Sequence, residues 1–453
     1  MLELLRAGAE LAYGQPLIIS ARGVFTYGDV LADAEAIASG IRKRGLTRVG
    51  AVVRNAEEVV ALLAAAAMAG AEVCGYPLEE PAAELDRLAD RFDHRVLVAG
   101  RDGAAVPDRR RLDLADLRSG GPVPDASGDA TLMILTTGTT GERRGAIHRW
   151  PALAPASLVA DPEPDARWLL AYNLNQFAGI AILVHVLATG ATLVQPRAQR
   201  ALEGLDSIRE YGITRVSATP TFWRGILREL GDGEPDIALR QITLGGEAVP
   251  GRLLDDLRSR FPDARMSQIY AATEFGQTGS VRDGLPGLPE SVLHRRDDAP
   301  VQLRVVDGEL SVRSRVGMIG YYGEPPADPD AWRPTGDLVE VRGERLLFVG
   351  RTSDVIIVGG VKVHPVPVER VVETVPGVQA ARAFGRPNPL TGQIVALEAV
   401  LDAGYDPDQV DSTIRAACTV LSPAARPRSI KFVDQLATKG QKVDRRALKE
   451  AEE

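Results

Sequence analysis

Thr131-Leu-Met-Ile-Leu-Thr-Thr-Gly-Thr-Thr-Gly141 is the stretch whose reading decides the fold. A short apolar run, Thr131–Leu135, reads as a buried strand, and six small residues with four hydroxyls and two glycines follow it. Such a loop turns backbone N–H groups and hydroxyls towards phosphate oxygens. No Gly-Lys-Ser/Thr follows at the required spacing, so it is not a Walker A loop. Alone, the same six residues also describe an ordinary solvent turn, and the rest of the chain has to decide.

On the N-terminal side, residues 1 to about 125 alternate helical stretches (Tyr27–Arg44, Glu57–Gly70, Pro81–Arg91) with apolar runs at Val49–Val53 and Val96–Val98. Strand and helix in alternation predict parallel strands with crossover helices. On the C-terminal side the alternation continues through Trp168–Tyr172, a helix over Gly179–Leu187, Ala191–Val194, a helix over Ala201–Tyr211, Arg215–Ala218 and Gln241–Leu244. From about 281 the texture changes to short β-like pieces, Val301–Val306, Glu309–Val312, Leu338–Arg342 and Arg345–Val349. Beyond Gly350 come a helix (Val366–Thr374), strands (Ala380–Gly385, Ile394–Val400), a helix (Pro407–Leu421) and a strand (Ser429–Val433). The expected fold class is α/β. A large N-terminal domain, 1–350, has stacked, mostly parallel sheets and a small β subdomain at about 281–350, and an α+β C-terminal domain occupies 351–453.

At about 150 residues per domain, 453 residues make roughly three domain-sized units. With 45% apolar and 25% charged residues the chain is an ordinary globular one. Lys and Arg total 53 against 61 Asp and Glu, a net charge of −8, which argues against nucleic acid or an anionic membrane as a partner. Cys74 and Cys418 are the only cysteines, which excludes a disulfide framework or a CxxC site. The first residues lack the pattern of a secretory signal, and the longest apolar run, Val59 to Ala71, is too short to span a bilayer. A cytoplasmic enzyme is expected.

Five further motifs carry chemistry. Tyr270-Ala-Ala-Thr-Glu274 combines an aromatic ring, a hydroxyl and a carboxylate, the groups that cover a purine, bond a phosphate oxygen and hold Mg²⁺. Leu244-Gly-Gly-Glu-Ala-Val-Pro250 puts two glycines at a strand end, where a flat ring can approach the backbone. Asp337, in Pro334-Thr-Gly-Asp337, is suited to accept hydrogen bonds from a ribose diol. Gly350-Arg-Thr-Ser-Asp-Val-Ile-Ile-Val-Gly-Gly360 marks the domain junction, and Thr438-Lys-Gly-Gln-Lys-Val-Asp-Arg445 leaves Lys442 in a polar segment of long reach.

In order and spacing these elements resemble the adenylate-forming superfamily of acyl-CoA synthetases, luciferase-like enzymes and peptide-synthetase adenylation domains. The family patterns are TSGTTGxPKG, GGxxxP, YGxTE, TGD, GRxDDxIxxxG and GKxxR. The resemblance covers nearly the whole chain, and Ile356-Ile-Val-Gly-Gly-Val-Lys-Val-His-Pro365 looks most like the aryl- and acyl-CoA ligase branch. It implies ATP- and Mg²⁺-dependent conversion of an acid to an acyl-adenylate with release of pyrophosphate, then transfer to the thiol of CoA. The alternative is another acceptor, a carrier-protein phosphopantetheine or an amine, including nitrous-acid activation for diazotisation.

Carried across by motif, Thr136, Thr137, Gly138, Thr139, Thr140 and Gly141 would hold the β- and γ-phosphates, with Arg144 in the place of the family's lysine. Thr273 would bond the α-phosphate and Glu274 the Mg²⁺. Gly245, Gly246, Glu247, Tyr270 and Ala271 would flank the nucleotide, Asp337 the ribose, and Arg351 would reach in from the hinge of a mobile lid. Lys442 would be the adenylation lysine. Ala271, Gln441 and Ser353 depart from the family patterns, as does Gln176, which stands where many CoA ligases have histidine. The acid pocket would draw on Asn175, Gln176, Phe177, Phe222 and Gln277, with Asn173, Trp223 and Phe275 nearby. None is a charged anchor for an ammonium group, so an α-amino acid is disfavoured and a small or medium organic acid, aryl or enoic, is expected. The scattered histidines, His148 and His364 included, receive no catalytic role.

Overall fold

The computed structural model describes residues 1–102, 106–121, 130–137, 142–231, 233, 235–402, 404–439 and 442–443, with backbone alone at Thr137, Lys439, Lys442 and Val443. Its first long helix, Tyr27–Lys43, is set by a reciprocal cap. The Thr26 hydroxyl accepts the Asp29 amide at 3.1 Å and the Asp29 carboxylate accepts the Thr26 amide at 2.8 Å. Tyr27 begins the helix fully buried and donates its hydroxyl to the Ala191 carbonyl at 2.8 Å, tying the N-terminal third to a strand far along the chain. The expected apolar segment is the helix Ala56–Ala69, buried on nearly every face. Alanine and leucine favour helix and their small or unbranched side chains let it pack on all sides.

Two large sheets sandwich these helices. The eight-stranded sheet runs Gly276–Val281, Arg265–Ala272, Gln241–Gly245, Arg215–Ala218, Arg167–Leu169, Thr192–Val194, Pro16–Ser20, Gly23–Thr26, parallel except at its two edges. The seven-stranded sheet runs Gly320–Tyr321, Arg143–Arg149, Thr131–Thr137, Glu72–Gly75, Arg48–Val52, Leu97–Ala99, Arg111–Asp113. One core joins them: Val49, Val73 and Leu132 from one sheet, Ile18 and Leu193 from the other, and helix residues such as Leu62 between.

The structure adds one strand that the sequence reading did not assign and departs from that reading in two places. The strand Pro16–Ser20 pairs with Thr192–Val194 in the sheet of the second half, because pairing of strands so distant leaves no local signal. The β-rich stretch after 281 is interrupted: five strands form an antiparallel sheet, Leu288–Pro289, Arg345–Arg351, Arg333–Arg342, Glu309–Ser314, Val301–Val306, but Gly320–Tyr321 returns to pair with Arg143–Arg149. The helix expected over Pro407–Leu421 stops at Ala417 and tightens into a 3₁₀ turn, Cys418–Val420. Among the described residues no helix is long and apolar enough to cross a membrane.

The C-terminal sheet pairs Val361–Val363, Ile356–Val358, Gly392–Leu401 and Val378–Asn388, with Ser429–Phe432 alongside and the helix Pro365–Glu373 over one face. It docks on the rest of the chain through charge. Arg224, in the helix Pro220–Leu230, meets Glu373 at 2.6 Å with both side chains largely buried, and Arg252 meets Asp402 at 3.2 Å and the Val378 carbonyl. Burial raises the Glu373 pKa, Arg224 opposes that rise and nearby Glu369 adds to it. A carboxyl raised in the folded state contributes stability below its unfolded pKa that is lost as pH climbs. Arg224→Ala removes the opposing charge and should therefore destabilise little near pH 5 and by up to about 3 kcal/mol at pH 8. Denaturant unfolding at both values tests this, and an equal deficit at both would refute it.

Candidate functional site

Four neighbouring parallel strands, Arg167–Leu169, Arg215–Ala218, Gln241–Gly245 and Arg265–Ala272, end on the same edge of their sheet. The segments that follow them line one cavity of about 1970 Å³, whose wall is completed by the five-stranded sheet and the helix Pro365–Glu373. Ligands in open α/β sheets bind at this edge.

One cluster in it is built on a carboxylate. Asp337 stands directly across the antiparallel register from Arg351. Its Oδ1 meets Arg351 Nε at 2.9 Å, while its Oδ2 accepts the Tyr270 hydroxyl at 2.6 Å. The turn before it is pinned: Gly336 donates its amide to Glu309 at 2.8 Å and Thr335 its hydroxyl to the Leu310 carbonyl at 2.8 Å. Burial, and then the Asp337 charge, push the Tyr270 phenol well above its ordinary pKa, so it stays a donor. The Tyr270 ring lies 4.9 Å from that of Phe348. Beside it, Gly245 accepts the Tyr172 hydroxyl at 3.3 Å, and a Cβ there would stand 3.2 Å from the Ile269 carbonyl. Gly246 has φ +83°, in the region that favours glycine. Ala271 lines the cavity on the same strand as Tyr270. Glu247 is engaged elsewhere: its carboxylate accepts the Thr221 amide at 3.0 Å and hydroxyl at 2.8 Å, at the positive end of the helix Pro220–Leu230.

Thr273 and Glu274 form the tight turn between Arg265–Ala272 and Gly276–Val281, and both line the cavity. Glu274 Oε1 accepts the Tyr321 hydroxyl at 2.8 Å. Arg144 lies over the Tyr321 ring, 3.4 Å from its centroid, and pairs with Glu324 at 2.5 Å, while Arg143 pairs with Glu80. Tyr321 belongs to no motif and was missed; only its pairing beside Arg143–Arg149 brings it here. Thr136 Oγ1, at the mouth of the same strand pair, is buried without a hydrogen-bond partner. A carboxylate lining the cavity and an orphaned hydroxyl are hard oxygen donors of the kind Mg²⁺ accepts, so the residues present fit that ion. Gly138, Thr139, Thr140 and Gly141 lie outside the described residues, as do the side chains of Thr137 and Lys442. The Lys442–Val443 backbone pairs with Thr438–Lys439.

Of the expected acid-pocket residues, Asn175, Gln176, Phe177 and Gln277 line the cavity. Asn175 Nδ2 donates to the Tyr76 carbonyl at 3.2 Å and its Oδ1 is buried without a partner. Gln176 is exposed at the start of the helix Phe177–Thr189. Phe222 and Trp223 are corrections. The Thr219 hydroxyl accepts the Phe222 amide at 3.1 Å and fixes the phase of the helix, which turns Phe222 towards Gly204 and Leu169 in a second core. Trp223 is fully buried and donates to the Thr243 carbonyl at 3.1 Å. Burial pulls His148 down to about 4, leaving it neutral at physiological pH.

This constellation is that of a nucleotide-handling enzyme, and comparison makes the class definite. The AMP-binding enzyme family matches residues 6–322, and the AMP-binding enzyme C-terminal domain matches 367–441. The chain belongs to the AMP-binding enzymes. Similar curated proteins include a methyl-dioxo-octahydroindenyl-propanoyl:CoA ligase from Mycobacterium tuberculosis, 30% identical over 78% of this chain and 73% of the relative. A 2-succinylbenzoate–CoA ligase from Geobacillus kaustophilus is 27% identical over 88% of this chain and 87% of its own. The fold matches o-succinylbenzoate CoA synthetase from Bacillus subtilis, solved with its acyl-adenylate OSB-AMP, at TM-score 0.77 and 22% identity over 99% of this chain and 98% of that one. The same enzyme solved with ATP and magnesium ion also matches at 0.77, with 21% identity over 98% and 99%.

Removing the Tyr270 hydroxyl leaves the Asp337 carboxylate to Arg351 alone. Tyr270→Phe should lower the unfolding free energy by about 1.5–3 kcal/mol, the range for a hydrogen bond to a charged group. Denaturant unfolding without nucleotide measures it, and no loss would show that the bond is not formed in solution.

Proposed function

We propose that this chain is an acid:thiol ligase that uses ATP and Mg²⁺ to convert a small or medium organic acid to an acyl-adenylate, releases pyrophosphate and passes the acyl group to CoA. The observation that carries the reading is the convergence of Tyr270, Asp337, Arg351, Thr273 and Glu274 on one cavity beneath the C-terminal sheet. In this reading 1–350 form the main body, with the β subdomain at about 281–350, and 351–453 form a lid that moves. Asp337, already held on both oxygens, takes the ribose hydroxyls, and Gly245, Gly246, Ala271 and the Tyr270 ring flank the base. Glu247 supports that wall from the helix start it caps. Thr273 bonds the α-phosphate, Thr136 to Gly141 take the outer phosphates, and Arg144 adds charge from its place over Tyr321.

Glu274 and the Thr136 region hold Mg²⁺, which when bound neutralises phosphate charge. The acid's carboxylate oxygen attacks the α-phosphorus and the bond to pyrophosphate breaks. Lys442 steadies the negative charge that builds between them. Asn175, Gln176, Phe177 and Gln277 shape the acid's place; the CoA thiol then attacks the acyl carbonyl and AMP leaves. The ATP and CoA requirements suit the cytoplasm.

A second reading, with a carrier-protein phosphopantetheine or an amine as acceptor, rests on two departures. Gln176 is exposed and uncharged where many CoA ligases have histidine, and Ser353 donates to its own neighbour Asp354 at 2.8 Å.

Pyrophosphate release with ATP and Mg²⁺, across aryl, enoic and short-chain acids plus nitrite, with and without CoA, tests both. One acid should drive release, and Lys442→Ala should slow it by about 10²- to 10³-fold. Asp337→Asn should raise the KM for ATP about tenfold or more, as loss of a charge-assisted bond implies. Release without CoA consumption selects the second reading, and release that Lys442→Ala leaves intact removes that lysine from the mechanism.

A further inference from the structure

A parallel sheet covered on both faces normally carries apolar side chains on both. Here one face does. Val216, Ala218, Ile242 and Leu244 point one way and are fully buried under the helices of the second core. Their alternates Ser217, Gln241 and Thr243 line the cavity and are polar, as is Ser267 on the next strand, with Gly245 and Ile269 further along the same face. Register puts Ser217 beside Thr243 and Thr243 beside Ser267, so the hydroxyls form a row across three strands. Thr243 Oγ1 and Ser267 Oγ are 2.9 Å apart, and Gln241 donates to Thr243 at 3.3 Å.

The wall opposite is spacious. The helix Phe177–Thr189 presents Ala178, Ala181, Ile182 and His185 to the cavity at helical spacing, two of them alanines. Between the strands Arg143–Arg149 and Arg167–Leu169 the chain makes only 3₁₀ turns, Trp150–Ala152 and Pro155–Val159, so no long helix fills the gap.

The cavity's far end is basic. Arg265 opens its strand on the hydroxyl-bearing face, and Arg282 follows the antiparallel strand whose Val281 pairs with Gln268. Both line the cavity and are exposed, and among the described residues neither has a carboxylate partner. Of the acids at that end, Glu163 is taken by Arg215 at 2.9 Å, and Asp161 stands exposed on the loop. From Ala271 back to Arg265 the strand covers roughly 20 Å.

Resting on the ligase reading, but replacing its small or medium acid by a longer one, we infer that the activated acid is elongated, lies along this strand face, and carries a second carboxylate at its far end that Arg265 and Arg282 receive. A hydroxyl-lined face gives a plain hydrocarbon chain no advantage, and two unpaired guanidinium groups give a distal carboxylate a strong one.

The test compares octanedioate, dodecanedioate and hexadecanedioate with octanoate, dodecanoate and hexadecanoate. It reads acid-dependent pyrophosphate release and, separately, calorimetric binding to the full chain. At least one long diacid should have a KM and dissociation constant about tenfold or more below its monoacid. In the R265A/R282A double variant that preference should collapse to about one. Ser267→Leu, which narrows the slot, should weaken the long diacid more than the octanoate. The surface arginine pair keeps the inference testable if Ser267→Leu does not fold. Activation of other acids without diacid preference, or a preference that survives the double variant, overturns this inference and leaves the ligase reading standing. Arginine-dependent diacid binding with no pyrophosphate release from any acid does the reverse.

Discussion

Parallel pairing fixes direction: strands that lie side by side and run the same way must all end on one edge, and each must be reached by a crossover. The eight-stranded sheet obeys this through Arg167–Leu169, Arg215–Ala218, Gln241–Gly245 and Arg265–Ala272. That constraint gathers Asn175, Gly245, Thr273 and Glu274, separated by up to a hundred positions, around a single cavity. The antiparallel five-stranded sheet then adds a pair directly opposed across its ladder, Asp337 and Arg351. The site is the meeting of these two geometries.

Its charges are held by aromatic hydroxyls and rings as much as by opposite charges. Tyr270 donates to Asp337 and Tyr321 to Glu274, and burial keeps both phenols protonated. Arg144 rests on the Tyr321 ring while Glu324 holds its far side. His94 and His148 stand outside this arrangement: burial draws His94 down to about 3 and His148 to about 4, so both are neutral near pH 7. A site assembled this way changes little in charge across the physiological range.

Much of this was legible because local chemistry decides local structure. The capping pair Thr26 and Asp29, the alanine-rich helix and the glycine turns carry their own signals, and the motifs fall at strand ends where chemistry collects. What stayed hidden depends on phase or on distance. Phe222 and Trp223 looked available to a ligand, yet the Thr219 cap rotates their helix so that both face the core. Glu247 lines the cavity, but its hold on the start of the helix Pro220–Leu230 has no local signal. Tyr321 and Pro16–Ser20 reach their places through pairings with distant strands. Reading Arg215–Ala218 and Gln241–Leu244 only as steps in the strand and helix alternation passed over the polar alternates Ser217 and Thr243, which a period of two would have separated.

Arg351 is the last residue of its strand, and the 3₁₀ turn Thr352–Asp354 carries the chain from there to the C-terminal sheet. One guanidinium is therefore bonded to the carboxylate assigned to the nucleotide and is also the final rung before the junction. In mechanical language the two are geared. On the proposed reading, a torque applied at the junction would act first on the Asp337 ion pair, and a nucleotide on Asp337 would stiffen the axle about which the C-terminal sheet would turn.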